Sequence, residues 1–188
     1  MINYNELFEK SKELANKSGL TQLELYQRFM FERILERISV SKYNSNFILK
    51  GGLLLSAMLG IESRSTRDMD ISIKGINVSK EKMLNVLNEI LSIDVNDKVK
   101  FKVVDISDIR EDDEYHLVGK LENLKVALEI DISTGDEITP RELNYEYHSL
   151  FENKKIYVDS YNIETILAEK IETILRRGKY NARMKDYY

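Results

Sequence analysis

Lys50-Gly51-Gly52 is followed, across a short apolar run, by Arg64-Ser65-Thr66-Arg67-Asp68-Met69-Asp70, and these two stretches together decide the fold. A paired glycine opens what reads as a helix, and two carboxylates at i and i+2 open what reads as a strand. Residues i and i+2 of a strand point to the same face, so Asp68 and Asp70 can grip one metal centre while Met69 turns into the core. Two like charges about 4 Å apart repel by roughly 4 kcal/mol at an effective dielectric near 20, so such a pair needs solvent or a bridging cation. Gly51 and Gly52 let backbone N–H groups approach a ligand, and the dipole of the next helix favours an anion. The order suits a site that cradles phosphates and holds a divalent metal.

Outward from this centre, Thr21 and Glu24 form a capping box that opens a helix to about Ile38, preceded by a polar helix over residues 3–17 that ends at Gly19. Leu23, Tyr26, Met30, Ile34 and Ile38 have helical spacing and predict a core stripe. Phe47 to Leu49 reads as a buried strand, the glycine pair as a turn, and Leu53 to Leu59 as an apolar helix stopped by Gly60. Asp68 to Lys74 is a second strand, and residues 79–92 form an amphipathic helix. The period then changes to two: Val99, Phe101 and Val103 alternate with lysines, with Tyr115, Leu117 and Gly119 on a partner strand. The acidic run from Asp108 to Glu114 between them is expected to be a solvated connection.

Leu124 to Ser133 predicts a strand with Val126, Leu128 and Ile130 on one face and Glu129 and Asp131 on the other. Set beside Asp68 and Asp70, Asp131 becomes a third metal ligand and a candidate general base; on a sheet edge it is a solvated acid. Residues 136–162, with the sole proline, Pro140, read as irregular. A helix returns from Ile163 to Arg177, with Ile163, Ile166, Leu167, Ile171 and Ile174 on its stripe. Lys170 interrupts that stripe, where it either snorkels or reaches a buried anion. His116 and His148, isolated in sequence, read as packing or surface residues.

With 188 residues, 43% of them hydrophobic, the chain can bury a substantial core. A net charge of −4 argues against a uniformly basic nucleic-acid binder. The absence of cysteine excludes disulfides and thiolate metal sites. No apolar run approaches the length of a membrane span, and the first residues lack the apolar centre of a signal peptide, so a cytoplasmic protein is expected. Charge is uneven: residues 170–188 carry six basic side chains against two acids, a local +4. Such a segment can bind a triphosphate or an RNA backbone, or complement a helix dipole.

Four segments make the chain resemble the AbiEii-type nucleotidyltransferase toxins, within the polymerase-β-like superfamily. They are Lys50-Gly51-Gly52 with Arg64-x-Thr66-x-Asp68-x-Asp70, then Leu128 to Asp136, Glu164 to Lys170, and Arg183-x-Lys185-Asp186. The resemblance implies an α+β nucleotidyltransferase fold, a small mixed sheet flanked by helices. It divides the chain into N-terminal helices over 1–45, a nucleotidyltransferase core over 46–160, and the start of a helical region over 161–188. It also implies that Asp68, Asp70 and Asp131 bind Mg²⁺, that these three and Lys170 are catalytic, and that Lys50, Gly51, Gly52, Arg64, Thr66, Arg183, Lys185 and Asp186 surround the nucleotide.

The activity so implied is transfer of NMP from an NTP to an acceptor hydroxyl, on RNA such as tRNA, by the toxin of a toxin–antitoxin or abortive-infection pair. Its partners would be an NTP, an RNA acceptor and a cognate antitoxin, with no membrane. Two departures stand out. Leu53 replaces the Thr or Ser that usually follows the second glycine, and the sequence ends at Tyr188, before the next Asp of the R-x-K-D-x-x-D signature. These departures make a truncated chain the expectation and leave a non-catalytic nucleotide-binding or interaction module as the alternative function.

Overall fold

Asn3 and Thr21 start the first two helices in the same way. The Asn3 side chain accepts from the Glu6 backbone N–H at 3.0 Å while the Glu6 carboxylate accepts from Asn3 N–H at 3.1 Å. Thr21 and Glu24 repeat the exchange, which satisfies N–H groups that the first turn leaves unpaired. In the computed structural model, which describes residues 2–60, 66–76, 79–109 and 112–177, α1 spans Tyr4–Ser18 and α2 spans Gln22–Val40. The chain continues through β1 (Phe47–Lys50), α3 (Gly51–Leu59), β2 (Asp68–Ile73), α4 (Lys80–Leu91), β3 (Lys100–Ile109), β4 (Asp112–Leu121) and β5 (Leu124–Thr134). It ends in β6 (Leu143–His148), β7 (Lys155–Ser160) and α5 (Ile163–Arg177).

The strands form one mixed sheet in the order β3-β4-β5-β2-β1-β7-β6. β2 runs parallel to β5, and β1 runs antiparallel to β2 and parallel to β7. Alternation divides the sheet into two faces. Phe47, Leu49, Met69, Ile71, Leu128, Ile130 and Ile132 are buried on one. On the other, register aligns Asp68, Asp70, Glu129 and Asp131. The fold is thus the expected α+β arrangement, a mixed sheet flanked by helices.

Several local expectations need correction. Residues 136–162 are not irregular: they contain the β6–β7 hairpin. Tyr145 and Tyr147 alternate with polar residues on β6, and Ile156 and Val158 do so on β7, but short polar edge strands give a weak period-two signal. Helix α3 begins at Gly51, so the glycine pair forms its first turn instead of preceding it. The acidic connection is much shorter than expected. Register pairs Asp108 with Asp113 and Ile109 with Asp112, so most of the run is strand.

Helix α2 departs furthest from a one-faced stripe. Met30, Ile34 and Ile38 are buried as expected, but Leu23 is 57% exposed and Tyr26 only half-buried. Conversely, Arg28, Glu32, Arg33, Glu36 and Arg37 are buried, because α2 touches α1, α4, β5 and β7 and leaves little free surface. Such charges persist inside only when paired. Arg37 forks onto Asp97 at 2.6 and 2.8 Å and donates to the Val99 carbonyl at 2.9 Å. Glu32 accepts from Leu150 N–H at 2.9 Å and from Ser149 Oγ. Burial nevertheless raises the Glu32 pKa, against the pull of those bonds and of Arg28 and Arg33.

On α5 the apolar stripe splits. Ile166 is buried, whereas Ile163, Leu167, Ile171 and Leu175 are 45 to 74% exposed. They follow one another at four-residue spacing and therefore form one exposed line along the helix.

Candidate active site

β1 delivers the glycine pair and β2 the two aspartates, and the antiparallel β1–β2 register makes Lys50 the direct neighbour of Asp70. Gly51 has φ +66°, a left-handed conformation that glycine adopts without penalty. A Cβ at Gly51 would overlap the Asp70 carboxylate and lie 2.7 Å from Asp70 Cβ. The next amide, Gly52 N–H, donates to Asp70 Oδ2 at 3.3 Å. Thr66 holds the other aspartate: its hydroxyl donates to Asp68 Oδ1 at 2.9 Å. The first turn of α3 therefore packs against Asp70, and the residue two before Asp68 orients that carboxylate.

The β2–β5 register brings in the third acid. Asp131 is the parallel-strand partner of Asp70, and Glu129 that of Asp68. Adjacent strands lie about 4.8 Å apart, so Asp68, Asp70 and Asp131 share one face of two neighbouring strands. Asp131 is therefore on an interior strand, not a sheet edge. All three aspartates are partly buried, each offering oxygen donors, the donor type that a hard divalent cation prefers.

The same two rows continue onto β4, which linear spacing leaves in an acidic connection and at a histidine without partners. Glu114 pairs with Asp131 and His116 with Glu129. One donor atom each from Glu114, His116 and Glu129 lies within 4.8 Å of the others. The Ser107 hydroxyl donates to Glu114 Oε2 at 3.1 Å and lies 3.1 Å from His116 Nε2. His116 is thus not isolated, and Glu114 belongs to the site's face instead of a solvated turn. His148 also has an acidic partner, Glu146, at 2.9 Å, and sits on β6 instead of in a loop. Strand pairing brings Glu129, Asp131 and Ser107 to Glu114 and His116, whereas Glu146 meets His148 from two residues away on the same strand.

A second polar node lies beneath the glycine pair. Lys50 Nζ donates to Asp136 Oδ2 at 2.8 Å, and the same oxygen accepts from Ser133 Oγ at 2.6 Å and Tyr161 OH at 2.8 Å. Burial alone would raise the Asp136 carboxyl, but the bonds from Lys50, Ser133 and Tyr161 prevail and hold it well below the usual carboxylate range. Burial would likewise lower the Lys50 ammonium; Asp136, with Glu169 and Asp70 behind it, raises it instead. Tyr161 is pushed up, first by burial and then by its bond to Asp136.

Lys170 is partly buried on α5, one residue after Glu169, whose carboxylate lies 3.9 Å from Lys50 Nζ. Leu53, where a hydroxyl residue was expected, is fully buried in the core. Arg64, Arg183, Lys185 and Asp186 lie outside the described residues.

The fold matches solved structures. MenT4, a nucleotidyltransferase toxin from Mycobacterium tuberculosis H37Rv, superposes with a TM-score of 0.61 at 14% identity, covering 88% of this chain and 59% of that one. JHP933 from Helicobacter pylori does so with a TM-score of 0.55 at 18% identity, covering 89% of this chain and 64% of that one. The chain therefore spans about three-fifths of the length of each of these structures. No curated protein matches the sequence. Residues 33–188, which include all four signature segments, match the family described as nucleotidyl transferase AbiEii toxin, type IV toxin–antitoxin system, and the chain belongs to that family.

Proposed function

We propose that the protein transfers a nucleotide from an NTP to an acceptor hydroxyl, with Mg²⁺ held by Asp68, Asp70 and Asp131. The observation that carries this reading is the in-register pairing of Asp70 with Asp131 directly beside Gly51 and Gly52. This neighbourhood supports a reading in which α3 amides contact phosphate while the carboxylates hold the metal. When bound there, a divalent cation neutralises phosphate charge and polarises the reacting phosphoryl group.

The chain's own residues supply the rest. Thr66 fixes the Asp68 carboxylate, and Gly52 N–H fixes that of Asp70. Gly51 keeps the approach to Asp70 clear, and the α3 amides face the nucleotide phosphates. Asp131 accepts the proton of the acceptor hydroxyl. The acceptor oxygen bonds to the α-phosphorus as the bond to pyrophosphate breaks. Lys170, with a compact positive charge, serves the phosphates from α5.

The family's description as a toxin of a type IV pair supports a growth-inhibiting role and a cognate antitoxin. We assign the acceptor to RNA, with tRNA ends as the first candidate, and the reaction to the cytoplasm. Among the described residues no helix is long and apolar enough to cross a membrane. The test is incubation with each α-labelled NTP, total RNA and Mg²⁺. Label should enter RNA with one NTP favoured, and Asp131→Asn should abolish it. NTP binding without pyrophosphate release would instead identify a non-catalytic nucleotide-binding module.

A further inference from the structure

Three signature segments that are remote in sequence converge on Lys50. Its side chain is only 15% exposed, and its ammonium is held 2.8 Å from Asp136 and 3.9 Å from Glu169, over the Tyr161 ring at 5.6 Å. Asp136 follows β5, which carries Asp131. Tyr161 precedes α5 and donates its backbone N–H to the Leu49 carbonyl at 3.0 Å, while Glu169 lies on α5 itself. The Asp136 Oδ2 atom already accepts three bonds. An ammonium that left this oxygen for a phosphate would leave Asp136 with the Ser133 and Tyr161 hydrogen bonds but without the cation that balances its charge.

We infer that Lys50 is a positioning residue: pinned between Asp136 and Glu169 under Tyr161, it docks α5 against the β1–β2–β5 strands and thereby sets where Lys170 stands relative to the aspartates. This separates two lysines that composition alone cannot distinguish. Lys50 acts through its acidic partners, and Lys170 acts on the nucleotide. The inference rests on the proposed nucleotidyl transfer only for its catalytic consequence. The contacts of Lys50 with Asp136 and Glu169 stand independently of that activity.

The test compares Lys50→Met, Asp136→Asn and their combination in the whole chain. Lys50→Arg serves as the conservative rescue, and Tyr161→Phe as a milder break should either single variant fail to fold. Amide hydrogen exchange over residues 163–175 reads the docking without reference to activity. Exchange should speed up at least tenfold in both single variants, no further in the double variant, about threefold in Tyr161→Phe, and little in Lys50→Arg. In the transfer assay both single variants should lower kcat 10- to 100-fold while KM for the NTP moves less than threefold. Unchanged exchange in α5 would overturn the docking role. A tenfold loss of NTP affinity in Lys50→Met but not in Asp136→Asn would make Lys50 a phosphate ligand instead. Additive losses in the double variant would show that the two residues act independently. Absence of transfer by the wild-type chain, with the exchange pattern intact, would count against the proposed function and leave the docking standing.

Discussion

Substituting Gly51 by alanine perturbs the site with almost no change in chemistry, so its outcome is a sharp test. Two costs arise. A left-handed conformation at a residue with a Cβ costs about 1–2 kcal/mol. The added Cβ would also overlap the Asp70 carboxylate and lie 2.7 Å from Asp70 Cβ. Rotating the carboxylate away does not relieve the second contact, so β1 and β2 must separate locally and Asp70 must shift by about 1 Å, a displacement that can cost roughly 100-fold in rate. Gly19 supplies the control, because it has φ +75° with open space around it. Gly19→Ala pays the conformational strain alone. Gly19→Ala should therefore lose about 2–8 °C in melting temperature, given about 2–4 °C per kcal/mol for a chain of this size, and Gly51→Ala, which adds the clash, should lose more. Only Gly51→Ala should lose about 100-fold in pyrophosphate release. Wild-type turnover in Gly51→Ala would refute the reasoning, as would an equal loss of activity in Gly19→Ala.

Other consequences follow from charge and exposure. Arg37→Met strands buried Asp97 and should cost about 3–5 kcal/mol, seen as a fall of about 6–20 °C in the thermal midpoint; a fall under 3 °C would show the pair to be dispensable. Because Asp136 titrates well below its unfolded value, its contribution is complete above about pH 4 and is lost as the pH falls through the native value beneath that. The stability advantage of wild type over Asp136→Asn should accordingly be flat between pH 5 and 8 and shrink below about pH 4; an undiminished gap at about pH 2.5 would contradict this. Leu167→Glu with Ile171→Glu alters exposed positions only, so stability should change by less than about 0.5 kcal/mol per site, while any concentration-dependent self-association by sedimentation should fall.

What was legible in the sequence was local. The Thr21–Glu24 capping box, the glycine stops and the i, i+2 aspartates depend on neighbours within a few residues, and they located the N-terminal helices and the Asp68–Asp70 strand. The face shared by Asp131 and Asp70 was legible only in part. Alternation put Asp131 on a polar face, but the parallel register that brings it beside Asp70 is set by pairing across some sixty positions. Glu114 and His116 were misread for the same reason, since their company comes from β5 and β3. The buried charges of α2 defeat any hydrophobic pattern. Arg37 is core because Asp97 and the Val99 carbonyl meet it there. The resemblance places Lys50 around the nucleotide, and linear spacing gives no sign of its 2.8 Å contact with Asp136, 86 residues away.

The central claim is that Asp68, Asp70 and Asp131 hold a metal–nucleotide complex. Calorimetric titration of the whole chain with NTP, in Mg²⁺ and in EDTA, for wild type and Asp70→Asn, tests it most directly. Wild type should bind saturably in Mg²⁺, with a loss of at least tenfold in affinity both in EDTA and in Asp70→Asn. Equal affinity in all of these conditions would place the nucleotide away from the three aspartates.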